Sequence, residues 1–286
     1  MRKSSLLLRW LLSLLLVCCL LSPAPAGAAQ SDAKEDNRLI HILLVGRDES
    51  QDAVSRSDSM ILCSFQPETN RIVLTSFLRD LYVEIPGYSN NRINAAYAAG
   101  GMSLLNETLE ENFGLYIDGN VEVDFAQFAE IVDLLGGVEI ELRQDEANVV
   151  NEETGSSLSA GIQKLNGDQA LAYARIRKLD ADGDFSRTNR QRTVLNAMVE
   201  AYKGTKLTTV LSLVSEILPM ITTDMSNGKI LSMALELFPL LSGAQIVSQR
   251  VPADGTYTNQ MISGMSVLVA DMDAARQMLE ETLLGK

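Results

Sequence analysis

Four aspartates, Asp48, Asp58, Asp80 and Asp184, are interleaved with eight arginines, Arg56, Arg79, Arg92, Arg175, Arg177, Arg187, Arg190 and Arg192. They fall in four short segments. The first joins Gly46-Arg47-Asp48 to Arg56-Ser57-Asp58-Ser59, and the second is Ser76-Phe77-Leu78-Arg79-Asp80. The third is Arg92-Ile93-Asn94-Ala95-Ala96-Tyr97, and the fourth runs from Ala170 through Arg175-Ile176-Arg177 to Asp184, Arg187 and Arg190-Gln191-Arg192. Guanidinium groups offer fixed, bidentate donors suited to phosphate oxygens. Carboxylates among them, ionised at neutral pH, suit a hard divalent cation bound through oxygen, Mg²⁺ first. The pattern points to a phosphate-bearing substrate held by arginines and a cation. Other chemistries are short of parts: the chain has one His (His41) and three Cys (Cys18, Cys19, Cys63). That excludes most His/Cys zinc centres and leaves only His41 for a nucleophile–His–Asp triad. His41 and Cys63 both sit inside apolar runs and read as structural.

Apolar runs of strand length must carry these segments. Ile40 to Val45 reads as a buried strand ending at Gly46. Met60 to Phe65 and Arg71 to Phe77 read as a hairpin across Gln66-Pro67-Glu68-Thr69-Asn70, and Tyr82 to Ile85 as a short strand stopped by Pro86-Gly87. Helical spacing is expected over Ser103 to Phe113, Phe125 to Leu135, Leu165 to Arg177, Arg190 to Tyr202, Leu207 to Leu218 and Lys229 to Leu240. Further strands are expected over Val121 to Phe125, Val138 to Leu142, Ala244 to Val251 and Ser266 to Val269, with a closing helix from Asp271. The polar stretch Arg143 to Ser159 reads as a surface loop, and Lys178 to Asn189 as a polar segment between helices. Asp133 and Gly136-Gly137 read as a helix end. The pattern implies a single α/β domain with a mixed sheet over residues 39–286, its polar segments at strand ends where such sheets bind ligands.

Ahead of it, Arg2, Lys3 and Arg9 precede the apolar run Trp10 to Leu21 and the small residues Ala24 to Ala29. Residues 1–30 therefore read as a signal peptide or a retained N-terminal anchor, with 31–38 as a short linker. Either carries the rest of the chain across a membrane. The whole sequence has net charge −13; without the three positive charges of this segment, 21 basic side chains face 37 acidic ones, a net −16. Such a balance argues against nucleic acid as a partner. The Leu- and Met-rich helices between Leu207 and Leu241 are candidates to line an apolar slot.

The same segments resemble the LytR-CpsA-Psr family of cell-envelope phosphotransferases. The likeness runs through Gly46-Arg47-Asp48, Arg56-Ser57-Asp58-Ser59, Leu78-Arg79-Asp80 and Ile85-Pro86-Gly87. It continues in Arg92-Ile93-Asn94-Ala95-Ala96-Tyr97, Val132-Asp133-Leu134-Leu135-Gly136-Gly137-Val138, Arg175-Ile176-Arg177 and Arg187-Thr188-Asn189-Arg190-Gln191. Leu78 stands where the family usually has Pro, Ser59 where it has Thr and Arg92 where it has Lys. The resemblance implies a three-layer α/β/α fold and an extracytoplasmic protein at the outer face of the cytoplasmic membrane or in the wall. It implies transfer of a glycopolymer, such as teichoic acid or capsule, from a polyprenyl-pyrophosphate carrier onto peptidoglycan through a phosphodiester. By the same resemblance Asp48 and Asp58 would hold Mg²⁺ (or Mn²⁺), and Arg56, Arg79, Arg92, Arg175, Arg177, Arg187 and Gln191 would bind the pyrophosphate. Asp80 or Asp58 is the candidate proton acceptor, with Arg79 beside it. Alternatives are a pyrophosphatase, a lipid-binding protein without transfer, and an envelope-related transcriptional attenuator.

Overall fold

The computed structural model describes residues 39–47, 57–180 and 183–285. The signal or anchor expected over 1–30, the linker over 31–38, Asp48 and Arg56 lie outside the described residues. Asp58 enters by its backbone position in a strand.

Six strands form the main sheet: β1 (Ile40–Arg47), β2 (Ser57–Gln66), β3 (Arg71–Phe77), β6 (Gly119–Asp124), β9 (Thr222–Thr223) and β10 (Gln245–Val251), in the order β10-β3-β2-β1-β6-β9. β4 (Tyr82–Val83) and β5 (Asn91–Arg92) form a small ladder beside it. β1 runs parallel to β6, and β3 parallel to β10, while β2 is antiparallel to both β1 and β3. The sheet is therefore mixed, and the carboxyl ends of β10, β3, β1 and β6 share one edge with the start of β2.

Alternation along the strands sorts the core. Leu43, Val45, Met60, Leu62, Val73 and Phe77 pack on one side with Leu105 and Leu109 of α1 (Ile93–Phe113). Ile42, Ile61, Cys63, Ile72 and Leu74 turn to the other side. There α5 (Asp184–Tyr202) supplies Leu195 and Val199, and α7 (Asn227–Leu241) supplies Met233 and Leu237. The closing helix α8 (Met272–Leu284), capped by Asp271, adds Ala275, Leu279 and Leu283 to the first side. Helices thus cover both faces, a three-layer α/β/α arrangement.

A third cluster forms beyond the sheet edge, where the sequence reading needs correction. Arg143 to Ser159, expected as a surface loop, contains α3 (Gln144–Thr154) with Glu146, Ala147 and Val150 buried. Its polarity misled because Glu146 is an interior ion: Arg190 Nε lies 2.8 Å from its Oε1, and its Oε2 accepts the Arg143 backbone N–H at 3.0 Å. Lys178 to Asn189, expected as a polar segment, already belongs to α5 from Asp184 onward, with Arg187 and Arg190 buried. Inward-facing arginines erase the apolar period that marks a helix. Two further strands also carry polar side chains: β8 (Gly161–Leu165), paired with β7 (Val138–Leu142), and β11 (Tyr257–Ile262), paired with β12 (Met265–Ala270). The β11–β12 connection is Ser263-Gly264 with φ of 50° and 77°, the positive pair that a two-residue hairpin requires.

The Gly136-Gly137 turn has φ of 80° and 87°, and a Cβ on Gly137 would meet the Leu165 carbonyl at 2.6 Å. It ends α2 (Phe125–Leu134) beside α4 (Gly167–Arg175), whose first N–H donates to Asp133 Oδ1 at 2.7 Å. The approach of these two helices is closest at Gly167, where a Cβ would lie 2.0 Å from the Ala129 carbonyl oxygen.

Candidate active site

Described residues from all four charged segments meet at the shared carboxyl edge of the sheet. β3 stops at Phe77, and the following loop is pinned on two sides. Leu78 N–H donates to Val251 O at 3.0 Å, and Asn94 N–H to Arg79 O at 3.3 Å. The first of these bonds needs an N–H that proline lacks, so Leu78 ties the loop to β10 in place of ring rigidity. At the end of β1, Gly46 pairs with Ser59 but Arg47 with Ser57, so Asp58 is the extra residue of a bulge. Asp48 directly follows Arg47 in the chain.

Asp184, the first residue of α5, is the hub of the arginines. Its Oδ2 lies 2.8 Å from Arg79 Nε and 3.4 Å from Arg187 Nη2, and its Oδ1 is 3.7 Å from Arg177 Nε. Arg187 is 2% exposed, which places one guanidinium in the interior behind the cluster. Asp80 joins from the loop, with Arg92 Nη1 at 3.2 Å and Arg79 Nε at 3.7 Å. Arg79, Arg92, Arg177 and Arg187 thus gather around Asp80 and Asp184.

An apolar cavity of about 310 Å³ opens beside the cluster. Arg175, Asp124, Ser59 and Gln191 line it together with Leu44, Val123, Phe128, Leu171, Leu195 and Met198. The Arg175 guanidinium lies over the Phe125 ring, 4.7 Å from its centroid. Ser59 Oγ donates to Gln191 Oε1 at 3.0 Å. Asp124 is occupied as the cap of α2, accepting the Gln127 N–H at 2.7 Å. Of the helices of 207–241 expected to line such a slot, α6 (Leu207–Ile217) contributes Ile217, with Ile221 after it, and α7 contributes nothing. The sheet, α2, α4 and α5 provide the rest. α7 instead rests on the sheet through Met233 and Leu237.

The remaining candidates separate from the site. Arg190 is spent on Glu146, on the Ile176 carbonyl at 3.3 Å and on Asp180. Arg192 is buried and donates to Ser76 Oγ at 2.7 Å, bracing β3 from behind. Burial, helped by the nearby positive charge of Arg250, brings its pKa down to about 10. His41 is buried in β1 with Nδ1 2.8 Å from Ser64 Oγ. Burial pushes the Cys63 thiol up to about 12, which removes thiolate chemistry. Among the described residues no three His, Cys, Asp or Glu side chains gather as a metal cluster. Asp184 and Phe125 are the parts that motif reading undervalued. Asp184 was legible only as one of four carboxylates, and Phe125 carried no signal beyond its place in an apolar strand.

The LytR_cpsA_psr family profile matches residues 23–283. The chain is 32% identical to the regulatory protein MsrR of Staphylococcus aureus over 234 residues, 81% of this chain and 68% of that protein. It is 34% identical to the polyisoprenyl-teichoic acid–peptidoglycan teichoic acid transferase TagU of Oceanobacillus iheyensis, over 73% of this chain and 68% of that one. Among solved structures, TagT bound to LIIa-WTA superposes with a TM-score of 0.71 at 26% identity, covering 90% of this chain and 95% of that one. TagT with bound octaprenyl pyrophosphate lipid gives 0.66 at 25% identity, with the same coverage.

Proposed function

Since the chain belongs to the LytR-CpsA-Psr family, we propose that it transfers a glycopolymer from a polyprenyl-pyrophosphate carrier onto peptidoglycan, leaving a phosphodiester link. The observation that carries this reading is the junction of an arginine cluster with an apolar cavity, through Arg175 and Gln191. A lipid pyrophosphate has these two halves, a chain that seeks apolar walls and a dianionic head that seeks guanidinium groups. The relatives support it by what they are named for: TagU as a teichoic acid transferase, TagT with a polyprenyl pyrophosphate bound.

The chemistry follows from charge. An acceptor hydroxyl oxygen forms a bond to the phosphorus nearer the glycan, and the P–O bond to the polyprenyl phosphate breaks. That phosphate leaves with the bonding pair and an added negative charge. Arg79, Arg177 and Arg187, held in advance by Asp184, stabilise the growing charge without reorganising at the moment of reaction. Asp80, pinned between Arg92 and Arg79, is the carboxylate we assign to receive the hydroxyl proton, with Asp58 the alternative. Mg²⁺, or Mn²⁺ in its place, would be held by Asp48 and Asp58. Both side chains are carboxylates, the oxygen donors such ions take. When bound, the ion would polarise phosphoryl oxygens as a Lewis acid.

Among the described residues no helix is long and apolar enough to cross a membrane. We place the protein at the outer membrane face on the sequence of residues 1–30 alone.

The test is transfer itself. Full-length protein, a radiolabelled polyprenyl-pyrophosphate glycan, Mg²⁺ and peptidoglycan oligomers should yield labelled peptidoglycan. Labelled glycan phosphate released into solution with none on the acceptor would make the protein a pyrophosphatase. Arg79→Ala should abolish the product.

A further inference from the structure

One face of α5 crosses the whole site. Asp184, Arg187, Gln191, Leu195 and Met198 recur at helical spacing, so their side chains share one stripe about 21 Å long. Leu195 and Met198 line the apolar cavity, Gln191 stands at its mouth, and Arg187 lies buried in the arginine cluster. At the far end, Asp184 and its neighbour Phe185 line a second, polar cleft of about 270 Å³. Arg79 and Asp80 form another side of that cleft, and Asn259 and Ser266 of the β11–β12 hairpin complete it.

The hairpin is fastened to the catalytic loop. Leu268 N–H donates to Asp80 O at 2.9 Å, and Leu81 and Leu268 form a parallel bridge. Phe185 is held between Tyr257, ring centroids 5.3 Å apart, and the Arg250 guanidinium 4.2 Å from its centroid. The cleft therefore has fixed walls. Its polar groups are two carboxylates, a guanidinium, a primary amide and a hydroxyl, a set that matches the mixed donors and acceptors of sugar hydroxyls.

Resting on the transfer reading, we propose that this cleft is the subsite for the acceptor saccharide, with Asn259 and Ser266 as its specificity residues. In phosphoryl transfer the attacking and leaving oxygens lie roughly in line across phosphorus. A lipid phosphate departing toward the apolar cavity obliges the hydroxyl to arrive from the opposite end of the stripe. The cleft opens there, and Asp80 sits within it to take the proton. The ligand class is a peptidoglycan glycan strand presenting a free hydroxyl.

Two measurements on the full chain test this. In nitrogen-15 spectra, an uncrosslinked N-acetylglucosamine–N-acetylmuramic acid oligomer should shift the Asn259 side-chain amide and the Ser266 backbone amide. Asn259→Ala and Ser266→Tyr should each raise the acceptor KM about tenfold. Affinity for octaprenyl pyrophosphate should stay at the wild-type value in both. Shifts elsewhere only, an unchanged acceptor KM, or a parallel loss of lipid affinity would overturn the assignment. Saccharide binding at these residues without any transfer would uphold the subsite and defeat the transfer reading, whereas transfer without these shifts would do the reverse.

Discussion

The Asp184 carboxylate lies 2.8 Å from Nε of Arg79, joining the first turn of α5 to the loop after β3. Because the same carboxylate also reaches Arg177 and Arg187, it sets the spacing of three guanidinium groups before any phosphate arrives. Asp184→Ala should leave them mutually repelled and misplaced. We expect kcat to fall by tenfold or more, with a smaller change in affinity for octaprenyl pyrophosphate. Steady-state kinetics alongside lipid titration check this, and a loss confined to lipid affinity would refute a positioning role.

The apolar cavity makes a size-dependent prediction. Leu171 lines it from α4. Leu171→Trp should fill part of it and weaken octaprenyl pyrophosphate binding by about tenfold or more. A short-chain prenyl pyrophosphate should lose much less. Calorimetry with the two ligands separates a filled cavity from general damage, in which both would weaken equally.

The ion pair between Arg190 and Glu146 is buried on both sides, with side-chain exposures of 4% and 6%. Arg190→Met alone should destabilise the fold by about 3 kcal/mol, because Glu146 would be left charged in the interior. Adding Glu146→Leu should restore part of that loss, as read from denaturant midpoints. Asp180 belongs to the same network, and its hydrogen bond from Arg190 holds its pKa below the usual carboxylate value. Its contribution is present at neutral pH and is lost as pH falls below about 4. The Arg190→Met variant should show a flatter acid limb.

His41 gives a second pH limb. Burial lowers its pKa, against the opposing pull of Asp118, so the folded protein prefers the neutral ring. As pH falls through about 6.5 the unfolded chain takes up the proton first. Stability should be full above that pH and decline below it. In His41→Gln, the difference in urea midpoint between pH 7.5 and pH 5.5 should shrink; an unchanged difference would assign the limb elsewhere.

Gly167→Ala tests the close helix approach. The new methyl would meet the Ala129 backbone, which cannot swing away as a side chain tip can. A loss of about 2–3 kcal/mol is expected, seen as a lower Tm.

The strands and the charged segments were legible because they obey local rules. Ile40 to Arg47 and Arg71 to Phe77 are apolar runs with turn residues at their ends, and the arginines announce themselves by type and spacing. What escaped reading was polarity turned inward. Glu146, Arg187 and Arg190 resemble solvent-facing residues until their partners are known, so α3 and the first turns of α5 were hidden. The cavity wall was missed for a related reason. Its residues come from the sheet, from four helices and from Ile221, and no window of sequence contains more than a fragment of it.

The hub at Asp184 has a consequence for the newly made chain. Arg187 reaches Asp184 from within α5, but Arg79 and Arg177 come from the loops after β3 and α4, and the docked amino end of α5 brings them to the same carboxylate. A chain part-way through folding carries every arginine yet presents no constellation to a lipid head group. The anion site is thus a property of the closed tertiary structure and of no single segment.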